Sequence, residues 1–189
     1  MMDDSALMDA VAAGDRACFE RLYSSYERRV FHYARSIVRD LGTAEEVVVD
    51  TMMAVWDGAR GFSRSSRVST WILGIARHKA LDAVRRGGRA GRLGKQVALE
   101  DAAEIAADEP TPDAVADSGS IRTAMQGAFT HLSAEHREIL YLVFYEDLPY
   151  EDIARLLALP VNTVKTRVYY AKQNLRSHIE RHTDMERLP

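Results

Sequence analysis

The sequence contains a single cysteine, Cys18, among its 189 residues. One thiol excludes a disulfide framework and a cysteine-rich zinc site. Five prolines and 11 glycines are too few for a collagen-like or largely disordered chain. The sequence has no run of about 18 apolar residues, so no membrane-spanning helix is expected. The first residues, Met1-Met2-Asp3-Asp4, lack the basic and apolar regions of a secretory signal, and we therefore expect a cytoplasmic protein.

Net charge is also small, −3, but the charged residues are segregated along the chain. Residues 61–95 carry a net charge of +8, and residues 96–120 that follow carry −7. A second basic segment, residues 155–181, carries +5. Two basic segments separated by an acidic one are compatible with two contacts to one long polyanion. Charge alone fits two solvated helix faces equally well.

Composition divides the chain into two parts. Glycines and arginines between Gly87 and Arg92 are followed by an acidic stretch that is rich in small residues and lacks aromatic side chains. Such a stretch buries little apolar surface, so it is typical of a linker. We predict a helical domain at residues 1–86, an acidic flexible linker at 87–119 and a second helical domain at 120–189. Strand-like alternation is absent from the sequence, and the predicted fold is all-α with two small helical domains.

Helix boundaries in the first part are predicted from periodicity and capping residues. Apolar residues recur at steps of three and four over residues 19–41, which is the period of one helix face. Thr43 opens a capping-box pattern and is the predicted cap of the next helix. Ser69 or Thr70 is the predicted cap of a later helix that extends over about residues 71–86.

The second part carries a helix-turn-helix pattern. Ser133 is the predicted start of one helix, and residues 150–157 form a second. A short break at 158–160 ends in Pro160, which is favoured at a helix start. In the helix that follows, four residues fall on one face and are predicted to pack inward, namely Val164, Val168, Ala171 and Leu175.

The opposite faces of this last helix are polar, basic and aromatic. A recognition helix presents such side chains to the major groove of DNA, which favours duplex binding. The alternative is an ordinary helical hairpin with a basic, solvated second helix. The predicted DNA-binding residues are Asn162, Thr163, Lys165, Thr166, Arg167, Tyr169 and Tyr170.

Together these segments resemble the bacterial sigma-70 family of RNA polymerase sigma factors, in its extracytoplasmic-function (ECF) group. The segments similar to sigma region 4 are residues 132–140, 150–154 and 160–167. The segments similar to sigma region 2 are residues 14–23, 44–56 and 69–78, with Phe62 between the last two. The similarity covers nearly the whole chain.

This resemblance implies an alternative sigma factor rather than an enzyme, with no cofactor and no small-molecule substrate. The implied partners are core RNA polymerase, promoter DNA and an anti-sigma factor. The C-terminal helix-turn-helix is expected to recognise the −35 element as duplex. The N-terminal domain is expected to melt the −10 element and to hold a base flipped out of the non-template strand.

The resemblance also assigns residues to these roles. The polymerase-binding residues it implies are Glu45, Glu46, Val49, Asp50 and Met53. The −10 residues it implies are Ser63, Arg64, Ser65, Ser66, Arg67, Trp71, Arg77, His78 and Arg85. Without the resemblance, the acidic residues fit a solvated helix face, the loop at 63–67 fits a plain surface loop, and Trp71 fits a core position equally well.

Five positions depart from the family pattern. His78 stands where the family often has Asn, and Val49 and Ala54 stand where it often has Gln and a basic residue. Pro149 stands where a serine cap is common, and Ala158 replaces the usual turn glycine, at a strain cost of about 1 kcal/mol if its backbone is left-handed. No catalytic constellation is present, and the six histidines show no metal-ligand spacing. Two other functions fit the helix-turn-helix pattern: a DNA-binding regulator that acts without polymerase, and a sigma-like decoy for an anti-sigma factor. The basic residues of the last helix disfavour a decoy.

Overall fold

A computed structural model describes residues 2–38, 40–93 and 131–185, and it describes side chains within these ranges except at 88–93 and 181–185. The described part of the chain contains helices and no strand, which confirms the predicted all-α fold. It divides into two compact units. The N-terminal unit holds α1 (Asp4–Ala12), α2 (Arg16–Val38), α3 (Leu41–Gly58), a 3₁₀ turn (Ala59–Gly61) and α4 (Val68–Leu93). Towards the C-terminus lie α5 (Ala134–Phe144), α6 (Tyr150–Leu157) and α7 (Val161–Met185).

In the N-terminal unit, α2, α3 and α4 pack against one another, and α1 packs on α2. Fully buried side chains of α2 include Tyr26 and Tyr33, while α3 contributes Met52 and α4 contributes Ile72. α1 ends at Ala12, and Gly14, two residues later, has a φ of 91°, a conformation that glycine adopts without strain. The apolar periodicity seen in the sequence therefore corresponds to one buried core.

The start of α3 differs from the prediction. The cap is Asp40 rather than Thr43, because α3 begins at Leu41. The Asp40 carboxylate accepts hydrogen bonds from the Thr43 backbone N–H at 2.7 Å and from the Thr43 hydroxyl at 2.6 Å. Thr43 thus lies inside the first turn as a donor to the capping residue. Leu41, which the periodicity placed with the preceding helix, belongs to α3.

The bounds of α4 also differ from the prediction. The helix begins at Val68, so neither Ser69 nor Thr70 caps it, and the Trp71 N–H bonds to the Arg67 carbonyl at 3.1 Å. The helix continues through the glycines near position 87 to Leu93, because a glycine weakens a helix interior by only about 1 kcal/mol and does not terminate it. The remainder of the predicted linker, residues 94–119, lies outside the described residues.

In the C-terminal unit, α5 packs against α7. The Ser133 hydroxyl accepts a hydrogen bond from the His136 N–H at 3.2 Å, which confirms the predicted start of this helix. Val164, Val168 and Ala171 are buried and Leu175 is half-buried, as the periodicity predicted. One side of α7 is thereby fixed against the core, and its other side is exposed.

Candidate nucleic-acid interfaces

The exposed side of α7 carries the residues predicted to bind duplex DNA. Six of the seven are exposed, and the seventh, Arg167, has a side chain that is 22% exposed. Tyr169 and Tyr170 are large side chains that remain more than half exposed, and their rings meet edge to face at 5.4 Å. This face combines hydrogen-bonding groups, positive charge and apolar area, which is the mixture that DNA-binding surfaces use.

Arg167 is held by a residue that sequence analysis did not select. Its guanidinium lies 3.2 Å from the carboxylate of Glu135, in the first turn of α5. Next to this ion pair is an open depression of about 410 Å³, lined by His136, Asn162, Thr163, Thr166, Arg167 and Tyr170. The N-terminal turn of α5 therefore shares this surface with α7, and His136 is an additional candidate for DNA contact.

The backbone before α7 is shaped for a tight turn. Ala158 has a φ of 54°, a left-handed conformation that is strained for a residue with a β-carbon. The Pro160 carbonyl accepts hydrogen bonds from the N–H groups of Thr163 at 2.9 Å and Val164 at 3.1 Å. Pro160 thus occupies the cap position of α7. Pro149 occupies the cap position of α6 in the same way, because its carbonyl accepts hydrogen bonds from backbone N–H groups in the first turn of that helix.

The predicted −10 loop, residues 63–67, lies between the 3₁₀ turn and α4. The hydroxyl oxygens of Ser63 and Ser65 are 3.0 Å apart, and the half-buried Ser66 bonds the Arg67 carbonyl at 3.3 Å. Arg64 forms an ion pair with Asp9 of α1. The loop is polar and exposed at its tip, but at least one of its cations has a partner within the protein.

Trp71 is half-buried at the base of this loop. Its ring lies 5.1 Å from the ring of Phe62, and a β-carbon at Gly58 would lie 3.4 Å from its indole. Phe62 is also half-buried. These contacts give Trp71 a packing role that is compatible with partial exposure to DNA.

The basic residues predicted along α4 are spread over several turns. His78 is exposed, and its Nδ1 lies 2.7 Å from the Gly74 carbonyl. Arg85 is exposed and pairs with Asp82 at 3.0 Å, while Arg77 is half-buried. The helix thus carries positive charge along several of its turns, and such charge can neutralise phosphates.

The polymerase-binding residues implied by the resemblance share one face of α3. All five are exposed, while Val47, Val48 and Met52 are buried. Val49 is 54% exposed and Met53 is 55% exposed, so both present apolar area to solvent. Leu41, which sequence analysis did not select, is 48% exposed at the start of the helix. Acidic and apolar side chains therefore alternate on a solvent-facing surface.

The described residues contain no group of three or more histidine, cysteine or acidic side chains that could hold a metal ion. Burial raises the pKa of the Cys18 thiol, which disfavours the reactive thiolate. None of the described helices is both long and apolar enough to cross a bilayer.

The chain matches two protein-family models. The model described as Sigma-70 region 2 covers residues 22–90, and the one described as Sigma-70, region 4 covers residues 122–175. The chain is 30% identical over 183 residues to ECF RNA polymerase sigma factor SigK of Mycobacterium tuberculosis, with 94% of each protein covered. It is 26% identical to ECF RNA polymerase sigma factor SigE of Mycolicibacterium smegmatis, with 91% of this chain and 66% of the relative covered.

Solved structures agree with these matches. The sigma factor RpoE from Bartonella quintana, in complex with the anti-sigma factor NepR, has a TM-score of 0.71 and 25% identity, covering 86% of this chain and 96% of that one. CnrH, in complex with the cytosolic domain of CnrY, has the same fold, with a TM-score of 0.64 and 20% identity over 94% of this chain and 97% of that one. The chain therefore belongs to the ECF RNA polymerase sigma factors and directs promoter-specific transcription.

Proposed function

We propose that the C-terminal unit recognises the −35 element as duplex, with the exposed side of α7 in the major groove. The observation that carries this assignment is the division of α7 into a buried apolar side and an exposed side with Asn162, Lys165 and Thr166. Amide and hydroxyl groups bond base edges, and lysine neutralises phosphate. The open depression beside Arg167 gives room for a base edge or a phosphate.

We propose that the N-terminal unit recognises and melts the −10 element. The loop at 63–67 supplies hydroxyl groups at its tip, and α4 supplies cations farther along the helix. Hydroxyls suit an unstacked base, whose hydrogen-bonding edge is free once the duplex is open. Trp71, packed on Phe62, is placed at the base of the loop as a stacking surface for the melting fork.

We propose that the exposed face of α3 binds core RNA polymerase. Glu45, Glu46 and Asp50 present carboxylates there, and Val49 and Met53 present apolar area beside them. Apolar contacts supply affinity, while the carboxylates favour a basic partner surface and speed encounter with it. The proposed domains follow this assignment. The first, which binds polymerase and the −10 element, extends past residue 86 to the end of α4, and the second, from residue 120, binds the −35 element.

We further propose that the protein is no enzyme, that it acts in the cytoplasm and that an anti-sigma factor holds it inactive. RpoE of Bartonella quintana was solved with the anti-sigma factor NepR, and the present chain shares the fold of that sigma factor. Purification of the chain from its native cell tests this regulation. The anti-sigma hypothesis requires that a bound partner protein is purified with it.

Footprinting tests the −35 and −10 assignments together. A promoter is first located by mapping transcription starts after overexpression of the chain. The reconstituted holoenzyme is expected to protect a duplex segment upstream and to make thymines near −10 reactive to permanganate. The free chain is expected to do neither. Protection of the same duplex without polymerase would instead indicate a regulator that acts alone.

A further inference from the structure

The predicted −10 loop is tied to α1, a helix that lies before the segment matched by the region 2 model. Two contacts make this connection. The Arg60 Nε donates a hydrogen bond to the Ala12 carbonyl at 3.1 Å, and the Arg64 guanidinium pairs with the Asp9 carboxylate. Asp9 and Ala12 are three residues apart, so they lie on the same side of α1. One helix thus holds the chain on both sides of Phe62.

α1 is itself fixed to the core of the N-terminal unit. Leu7, Met8 and Val11 are buried, and the Tyr26 hydroxyl of α2 donates a hydrogen bond to the Asp4 carboxylate. Side chains anchored in this way cannot follow the movements of an exposed loop. The helix backbone at Asp9 is therefore fixed to the core, and the exposed Asp9 carboxylate pairs with Arg64 from that position.

Arg64 adopts an unusual backbone conformation where it is held. Its φ is 59°, a left-handed value, and among the described residues only two other non-glycine residues, Asp147 and Ala158, have a positive φ. Crowding of the β-carbon disfavours this conformation, so it persists where surrounding contacts support it. At this left-handed turn of the backbone, the hydroxyl oxygens of Ser63 and Ser65 lie 3.0 Å apart.

We propose that Asp9 and Arg64 are positioning residues for −10 recognition. Their ion pair fixes the backbone of the loop, so that Ser63, Ser65 and Arg67 are presented together to the unpaired strand. The inference rests on the proposed function of this loop. It replaces the direct DNA contact predicted for Arg64 from the sequence, because the carboxylate of Asp9 already faces that guanidinium.

The two roles of Arg64 predict opposite effects of removing Asp9. If Arg64 bound a phosphate directly, Asp9 would compete with the DNA for it, and the Asp9→Asn variant would bind and open promoters better. If Arg64 positions the loop, the same variant loosens the loop and opens promoters less well. Both side chains are more than half exposed, so the variants are expected to fold normally.

The test uses full-length variants reconstituted with core polymerase on a mapped promoter. The variants are Asp9→Asn, Arg64→Gln, the double variant, the charge swap Asp9→Arg with Arg64→Asp, and Glu27→Gln. The last removes one exposed carboxylate from α2 and is the matched control. Opening is measured by permanganate reactivity of −10 thymines, and holoenzyme formation by native gel electrophoresis.

Positioning predicts that Asp9→Asn and Arg64→Gln each reduce opening about two- to fivefold, the range expected from an exposed ion pair. The double variant loses no more than either single one, and the charge swap recovers at least half of the loss. Holoenzyme formation and the Glu27→Gln control stay at the wild-type level. Increased or unchanged opening with Asp9→Asn would overturn the proposal, as would an additive loss in the double variant.

The Arg67→Ala variant distinguishes failure of the positioning proposal from failure of the proposed −10 recognition by the loop. If the loop recognises the −10 element and only the positioning role is wrong, Arg67→Ala reduces opening while Asp9→Asn does not. If neither variant changes opening, the loop does not recognise the −10 element and both proposals fail.

Discussion

The guanidinium of Arg167 lies 3.2 Å from the carboxylate of Glu135, which joins the proposed recognition helix α7 to the first turn of α5. The Arg167 side chain is 22% exposed and the Glu135 side chain 67%. The carboxylate therefore orients a cation that faces the proposed DNA surface, and it also cancels part of the charge that DNA would meet. Bound DNA has to share or displace this partner.

Arg167→Ala is expected to weaken binding of a −35 duplex by about tenfold or more, since a good arginine contact to a base edge contributes about 1–3 kcal/mol of discrimination. Fluorescence anisotropy of the reconstituted holoenzyme with a labelled −35 duplex and a labelled scrambled duplex measures the effect. Arg176→Ala is the control, because Arg176 is an exposed arginine of the same helix that pairs with Glu180. Equal losses on both duplexes, or equal losses in both variants, would contradict base recognition by Arg167.

Glu135→Gln is expected to tighten binding to DNA irrespective of its sequence. Loss of the carboxylate removes a repulsion of phosphates and frees Arg167, so binding to the scrambled duplex should tighten by about two- to fivefold at low salt. Discrimination between the two duplexes should fall, because Arg167 is no longer oriented. A variant with wild-type affinity for both duplexes would show that the pair has no influence on DNA binding.

Ala158→Gly is expected to raise the free energy of unfolding by about 0.5–1 kcal/mol. Glycine adopts the φ of 54° seen at Ala158 without the crowding that a β-carbon causes. Calorimetry of the full-length variant measures the change. Ala171→Gly, the same substitution at a buried site inside α7, is the control and is expected to destabilise by about 1 kcal/mol or more. A loss of stability in both variants would contradict the strain assigned to Ala158.

Asp50→Lys and Met53→Ser are expected to weaken binding to core polymerase by about tenfold each, the first through charge repulsion and the second through lost apolar contact. Both residues are exposed, so the free energy of unfolding should stay within about 0.5 kcal/mol of the wild type. Titration of labelled core polymerase measures the affinity, with Glu27→Lys on α2 as the control. If the α3 variants bind like the control, α3 is not the docking helix.

The cap of α3 predicts a pH dependence of stability. The pKa of Asp40 lies below its ordinary value, chiefly because the Thr43 hydroxyl and then its backbone N–H donate hydrogen bonds to the carboxylate. A lowered folded-state pKa contributes stability above the unfolded pKa of about 3.9, and this contribution is lost as the pH falls through the folded pKa. Asp40→Asn should therefore be less stable than the wild type at pH 7, and the gap should close below about pH 4.

Urea unfolding followed by tryptophan fluorescence measures this gap, because Trp56 and Trp71 both lie in the N-terminal unit. In a Thr43→Val background the gap at pH 7 should be smaller, since the hydroxyl bond is already missing. A gap that stays constant from pH 7 to pH 3 would show that the charge of Asp40 does not contribute to the cap.

Local sequence patterns predicted the helices well where one face is buried. The period of Val164, Val168 and Ala171 identified the inner side of α7, and Ser133 identified the start of α5. Capping was less predictable in the N-terminal unit. Asp40 and Thr43 are both good capping residues, and the choice between them depends on where α2 ends, which tertiary packing determines.

Contacts between distant segments were not predictable from one sequence. Asp9 and Arg64 are 55 residues apart, and no local spacing relates them. Glu135 and His136 precede the helix-turn-helix, so only the packing of α5 on α7 brings them beside Arg167. Residue type was enough to predict which side chains bind DNA, but it could not identify the carboxylates that pair with two of the predicted arginines.

The most direct test of the account is transcription in vitro with purified core polymerase and a promoter mapped after overexpression of the chain. The wild-type chain is expected to produce a transcript from the mapped start, and core polymerase alone is expected to produce none. Arg167→Ala should reduce the transcript about tenfold or more. Scrambling the −35 segment should reduce the wild-type transcript and have little further effect on the variant. Equal transcription with and without the chain, or a start that does not depend on promoter sequence, would contradict the account.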